Sequence, residues 1–166
     1  MRYHQYRYKF YLNASHAIYI QNRLGQHHPH TWEITLDTIK VVDGFVQFND
    51  VERAIEQFLE QYQDKNINDV EPFNTLNPTL ENICEYFKEA IRSLLVDKGW
   101  LLLKIEISET PARSYIIDLV AEEDVAVHQM EAEQESTLKQ KNFDELSNEL
   151  LDSILLDSSE PEHDVQ

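Results

Sequence analysis

The stretch "HPHTWEITLDTIKVV", residues 28–42, alternates with a period of two. His28, His30, Trp32, Ile34 and Leu36 fall in one phase, and Glu33, Thr35 and Asp37 in the other. Successive side chains of a strand point to opposite faces, so the spacing predicts a strand from about Pro29 to Val42 with one buried face. Two imidazoles stand at the start of that face. Upstream, His4, Tyr6, Tyr8, Phe10, Leu12, Ala14 and His16 share a phase against Gln5, Arg7, Lys9, Asn13 and Ser15. The connection between the two segments is short, which favours an antiparallel pair. In that pairing His16 lies near His28 and His30.

Downstream, Asp43-Gly44 marks a turn, and Asn49 or Asp50 is positioned to cap a helix. Its apolar residues Val51, Ala54, Ile55, Phe58, Leu59 and Tyr62 have helical spacing. "KNINDVEPFNTLNP", residues 65–78, reads as loop. Thr79 then caps a second helix that buries Ile83, Tyr86, Phe87, Ala90, Ile91, Leu94 and Leu95 and ends near Gly99. Leu101, Leu103, Ile105 and Ile107 alternate with Leu102, Lys104, Glu106 and Ser108, with Glu109 in phase with the first set. "SYIIDLV", residues 114–120, supplies a last strand. The order ββααββ over residues 1–121 predicts an α+β fold, a four-stranded antiparallel sheet with both helices on one face. Its open edges call for pairing, and self-association into a barrel would provide it.

The chain of 166 residues is 42% hydrophobic and carries a net charge of −17. That charge argues against nucleic acid as a partner, because phosphate binding needs a basic surface. Residues 122–166 hold 14 acidic and 2 basic side chains, so an acidic tail follows a mildly acidic body. In the tail Phe143, Leu146, Leu150, Leu151, Ile154 and Leu155 predict an amphipathic helix over 142–157. This helix would dock on its own core or a sister subunit, or serve as a docking peptide for a protein partner. A single cysteine, Cys84, rules out an intrachain disulfide. No segment reads as a signal peptide or a membrane span, and a cytoplasmic protein is expected.

Neutral imidazole is a good zinc ligand, and three histidines with a free fourth position characterise catalytic rather than structural zinc. His16, His28 and His30 would form such a site. The competing reading is a His-rich turn with His16 as a satisfied core histidine. Glu109 ends the apolar face of a strand, where an unpaired carboxylate would be costly. It would be suited to grip two adjacent N–H donors of a heterocycle, or would sit as a partly exposed rim residue.

Together these pieces resemble the family of 6-pyruvoyl-tetrahydropterin and 6-carboxytetrahydropterin synthases. "NASH" ending at His16 matches one family motif, His28-Pro29-His30 matches its H-x-H, and Glu109-Thr110 matches its strand ending. "YQDKNINDVEPFNTLNPTLEN", residues 62–82, matches its loop and second-helix segment without a gap. The resemblance implies a T-fold, trimers or hexamers closed into a barrel, and zinc on His16, His28 and His30. It also implies a pterin ring held by Glu109 and Thr110. In the family, a cysteine moves protons with the help of an Asp–His pair. Those positions here are Leu24, Gln63 and Asp64, so the whole proton-transfer set is replaced. His27 is a substitute base on this reading, with Asp64 to orient it. The implied function is binding, with or without atypical processing, of a reduced pterin or related heterocycle. The alternative is a non-catalytic T-fold module for binding or assembly, engaging a partner through its acidic tail.

Overall fold

A computed structural model describes residues 4–41, 46–120, 136–137 and 139–141. Strand β1, Tyr6–His16, turns Tyr8, Phe10, Leu12, Ala14 and His16 inward and exposes Arg7, Lys9, Tyr11 and Asn13. The short connection to the next strand forms a small hairpin, β2 (Tyr19–Ile20) and β3 (Arg23–Leu24). Gln21 and Asn22 at its tip both adopt positive φ, 48° and 62°, which suits a two-residue turn matched to strand twist. Strand β4, His28–Lys40, runs antiparallel to β1 with His16 opposite His28, Ala14 opposite His30 and Leu12 opposite Trp32.

Helix α1, Phe48–Leu59, starts slightly earlier than the expected caps at Asn49 or Asp50; its cap position is Gln47, which makes no side-chain capping bond. Val51, Ile55 and Leu59 form its buried face. A two-residue strand β5, Lys65–Asn66, and a 3₁₀ turn, Ile67–Asp69, follow. Helix α2, Leu80–Val96, is capped by Thr79, whose hydroxyl accepts the Asn82 N–H at 3.3 Å. Beyond its end Gly99 takes φ 75°, a conformation that glycine adopts without steric penalty. Strands β6, Trp100–Thr110, and β7, Arg113–Asp118, complete a sheet in the order β5-β1-β4-β6-β7. The sheet thus has five strands rather than four. The extra one, β5, pairs parallel with Ala14 and Ser15.

Both helices pack on the sheet face that carries Trp32, Ile34 and Leu36, and the aromatic rings of Phe58, Tyr62, Phe73 and Phe87 interlock between them. Along β6 the simple alternation fails. The register with β4 shifts between Asp37 and Thr38, leaving Leu103 as an extra residue. Trp100 and Leu102, not Leu101 and Leu103, therefore join Ile105 and Ile107 in the main core. A second irregularity, between Ser108 and Thr110, places Glu109 in a bulge against β7.

Cys84 lies fully buried on α2, and burial pushes its thiol up to about 12. It is a packing residue without nucleophilic character. No described helix is long and apolar enough to cross a membrane. The chain divides into two units, Met1–Glu123 and Asp124–Gln166. The helix expected over 142–157 lies outside the described residues.

On the face away from the helices, Arg7 and Asp37 are register partners. Arg7 Nε and Nη2 donate to the two Asp37 oxygens at 2.6 and 2.8 Å. The hydrogen bonds from Arg7 hold the Asp37 carboxyl below its ordinary value of 3.8. A depressed carboxyl contributes stability above the unfolded value and loses it as pH falls through the folded one. Asp37→Asn should therefore lower the urea midpoint at pH 7, and its gap from wild type should narrow below pH 3.8. A gap constant from pH 7 to pH 2 would show that this pair does not clamp β1 to β4.

Candidate metal centre

One end of the sheet gathers the last residue of β1, the first residues of β4 and the end of β6. Because His16 and His28 are directly paired and His30 follows at i+2, all three imidazoles stand on the same face. Ring centroids lie 4.7 Å apart for His16–His28, 5.2 Å for His16–His30 and 4.7 Å for His28–His30. Trp32, two residues on, lies edge-on to both His16 and His30, with centroids at 4.9 and 5.4 Å. One nitrogen from each histidine falls in a set whose members all lie within 4.8 Å of one another, so the triad could hold a metal ion.

The rings are oriented by backbone carbonyls. His16 Nδ1 donates to Pro78 O at 2.8 Å, and His28 Nδ1 to Gln26 O at 2.9 Å. His30 makes a backbone hydrogen bond to Glu109. Protonating Nδ1 in this way leaves Nε2 as the lone-pair donor, the usual second layer of a metal site. Among the described residues, His16 Nε2 and His30 Nε2 are buried with no hydrogen-bond partner. Burial, opposed in part by the carbonyl hydrogen bonds, holds His16 and His30 below their ordinary values, so the neutral, ligating form is favoured.

Two asparagines, which the sequence reading passed over as loop, fix the chain just after His16. Asn68 bonds both backbone groups of Ala17, each at 2.8 Å, and Asn77 bonds both backbone groups of Tyr19, at 2.8 and 3.0 Å. Asn82 in turn holds Asn77 O at 2.8 Å. The 62–82 segment is thus a polar cradle for the strand end that bears His16. Its only sequence signal is that asparagine side chains readily mimic backbone groups.

Glu109 reaches the same place. Its Oε2 lies 4.0 Å from His16 Nε2, while its Oε1 accepts from Arg113 Nη2 across the Pro111–Ala112 turn. Arg113 was not singled out in the sequence, where it sits in an unremarkable turn. Glu109, Thr110, Arg113, His30 and Thr31 border an open cleft of about 750 Å³.

The other sequence-predicted positions are more dispersed. Leu24 is exposed on the β2–β3 hairpin. His27 is exposed just before β4. Gln63 and Asp64 flank the far side of β1, where Gln63 Oε1 accepts from Asn13 N at 3.2 Å and Asp64 N–H donates to Asn13 O at 2.7 Å. Among the described residues, no hydrogen bond or ion pair joins His27 to Asp64.

Comparison with known proteins supplies the remaining context. Solved structures with similar folds include 6-pyruvoyl tetrahydropterin synthase of Caenorhabditis elegans, with TM-score 0.60 and 18% identity, covering 71% of this chain and 96% of that one. A catalytic-residue variant of the Plasmodium vivax synthase gives TM-score 0.56 at 12% identity, covering 70% and 98%. An uncharacterised protein of Wolinella succinogenes gives 0.53 at 16%, covering 71% and 99%. Such low identities speak to the fold. No curated protein matches the chain significantly by sequence. The sequence pattern that defines the family "6-pyruvoyl tetrahydropterin synthase", however, matches residues 5–119, from the start of β1 to the end of the sheet. The chain belongs to the 6-pyruvoyl tetrahydropterin synthase family, with its T-fold.

Proposed function

We propose that this chain binds zinc on His16, His28 and His30 and uses that centre to bind a reduced pterin or a related heterocycle. The observation that carries the reading is the convergence of three imidazole nitrogens within 4.8 Å, two of the histidines having buried, unpartnered Nε2 atoms. Imidazole suits zinc, and an all-histidine set without thiolates suits a centre that meets a ligand. Bound zinc would supply Lewis-acid polarisation of ligand oxygens. Glu109 and Thr110, at the mouth of the adjoining cleft, are the ring-binding candidates.

The chain's own residues argue against the family's usual proton transfer. Leu24 offers a hydrocarbon, and Gln63 and Asp64 are engaged through an amide oxygen and a backbone N–H at the edge of β1. Cys84 is sealed in the core. His27, the substitute base on this reading, is exposed just before β4 and makes no bond to Asp64 among the described residues. These replacements favour the second reading, a binding or assembly module without turnover. The sheet edges favour assembly too. Among the described residues, β7 has no strand on its outer side and β1 has one only at Ala14 and Ser15. Continuing the sheet between copies would pair those groups and close a barrel.

Three measurements test these statements. Metal analysis should find about one zinc per chain, retained through dialysis and lost in His28→Ala while the far-ultraviolet circular dichroism is unchanged. A folded wild type that takes up no zinc would end the metal reading. Dihydroneopterin triphosphate should bind in a zinc-dependent manner yet turn over at least about 10²-fold more slowly than with a synthase that has the cysteine, the scale of one lost proton-transfer group. Full-speed turnover would reinstate the synthase reading. Native mass spectrometry should show a trimer or hexamer, and a stable monomer at micromolar concentration would refute barrel closure.

A further inference from the structure

We propose that Arg113 is a built-in competitor for the ring site: its guanidinium occupies the edge of Glu109 that a heterocycle's own N–H pair needs, so ligand entry is an exchange. The inference rests on the reading of Glu109 as a ring-binding residue and adds the side chain that sets how strongly a ring is held.

The β6–β7 hairpin brings the pair together. Thr110 and Arg113 are register partners, joined through Pro111 and Ala112 alone. Directly opposed residues of a ladder show their side chains on one face. Proline fixes its own φ, which limits how far so short a turn can relax. The irregularity between Ser108 and Thr110 re-aims Glu109 relative to its strand neighbours. Arg113 Nη2 then donates to Glu109 Oε1, while Glu109 Oε2 lies 4.0 Å from His16 Nε2.

Charge favours this placement. Glu33, Glu106 and Glu109 border the cleft, and among the described residues Arg113 is the one permanently cationic side chain that borders it with them. Glu33 is met by Lys9 Nζ at 2.7 Å, and Glu106 accepts the Ser114 hydroxyl at 2.7 Å. Glu109 is the carboxylate that Arg113 meets.

The guanidinium resembles the edge of the ligand it excludes. It is planar and presents neighbouring N–H donors in a fork matched to a carboxylate. A 2-amino-4-oxo pyrimidine ring, the donor edge of a pterin, presents a ring N–H beside an amino N–H in much the same way. Two such planar groups cannot lie along one carboxylate edge at once.

Exposure decides which partner yields. The Arg113 side chain is 67% exposed and that of Glu109 only 11%. The arginine can swing into water and regain its hydration, whereas the carboxylate stays where the ring arrives. An ion pair with one partner so exposed is weak, so it tunes entry rather than blocking it. Every ligand that displaces Arg113 loses the same factor of affinity.

Isothermal titration of the full chain, supplied with zinc, with 7,8-dihydroneopterin reads this by binding alone. That compound is uncharged and carries the 2-amino-4-oxo edge. Arg113→Gln should bind it roughly 2- to 5-fold more tightly than wild type, the range of a partly exposed ion pair. The gap should close as sodium chloride rises from about 0.02 to about 0.5 M, because salt screens a pair that only the wild type has. Arg113→Lys, which keeps the charge but loses the planar fork, should fall between the two. Equal or weaker binding by a folded Arg113→Gln would overturn the competitor and make Arg113 a support of Glu109. A gap indifferent to salt would overturn it too, since a side chain that merely fills space has that signature. A wild type that binds no pterin, or binds it no better than Glu109→Ala does, would overturn the ring reading together with this one, so the two failures are distinct.

Discussion

The antiparallel register of β1 and β4 is the constraint on which this structure depends. Eleven consecutive residue pairs run from Tyr6–Thr38 to His16–His28. A slip of one residue would turn either Tyr8, Phe10 and Leu12 or Trp32, Ile34 and Leu36 out of the core and put His16 on the face opposite His28 and His30. The hydrophobic core and the histidine triad are thus specified by the same pairing. At one end of the ladder the register is reinforced by the Arg7–Asp37 pair, and at the other the strand end is tied down by the asparagine clamps on Ala17 and Tyr19.

Those clamps show how a loop becomes part of a site. Residues 65–78 contribute β5, a 3₁₀ turn, two asparagine side chains and the Pro78 carbonyl. Each satisfies a polar group that would otherwise lie half-buried at a strand end, where an unmade hydrogen bond costs about 1–3 kcal/mol. Pro78 lacks an N–H but retains its carbonyl, and that carbonyl selects which nitrogen of His16 stays free. The position of Thr79 as helix cap then fixes where Pro78 must be. Sequence order, capping and tautomer choice are links in one chain.

How much of this was legible in the sequence follows from the range of each interaction. The phases of β1 and β4 and the buried stripes of α1 and α2 arise from periodicity, which a one-dimensional pattern records. Bringing His16 to His28 and His30 needed only the additional inference of an antiparallel pair. The bulges of β6 were not legible, because Leu101, Leu102 and Leu103 are all apolar and any phase fits them. The two-residue β5 is set by backbone bonds to β1 and leaves no pattern. Arg113 escaped notice because its partner is four residues away across a turn whose geometry the sequence does not announce. The cap of α1 was misplaced for a related reason: Gln47 caps by backbone position alone, while Asn49 and Asp50 had the more suggestive chemistry.

The same hierarchy bears on why a metal-ligand set and a proton-transfer set can part company within one fold. The triad hangs on the central ladder, so its spacing follows from the same register that builds the core. The positions of Leu24, Gln63 and Asp64 lie on the β2–β3 hairpin and on the outer flank of β1, and their side chains are exposed or only partly buried. None of the three belongs to the buried core cluster. The Nε2 atoms of His16 and His30 are buried without a hydrogen-bond partner among the described residues, and a cation beside them would supply one. The register therefore ties the three histidines to one another, while nothing in the fold ties an ionisable group to position 24. In this architecture the three donors that could hold a metal follow from the central register, whereas the residues at positions 24, 63 and 64 do not.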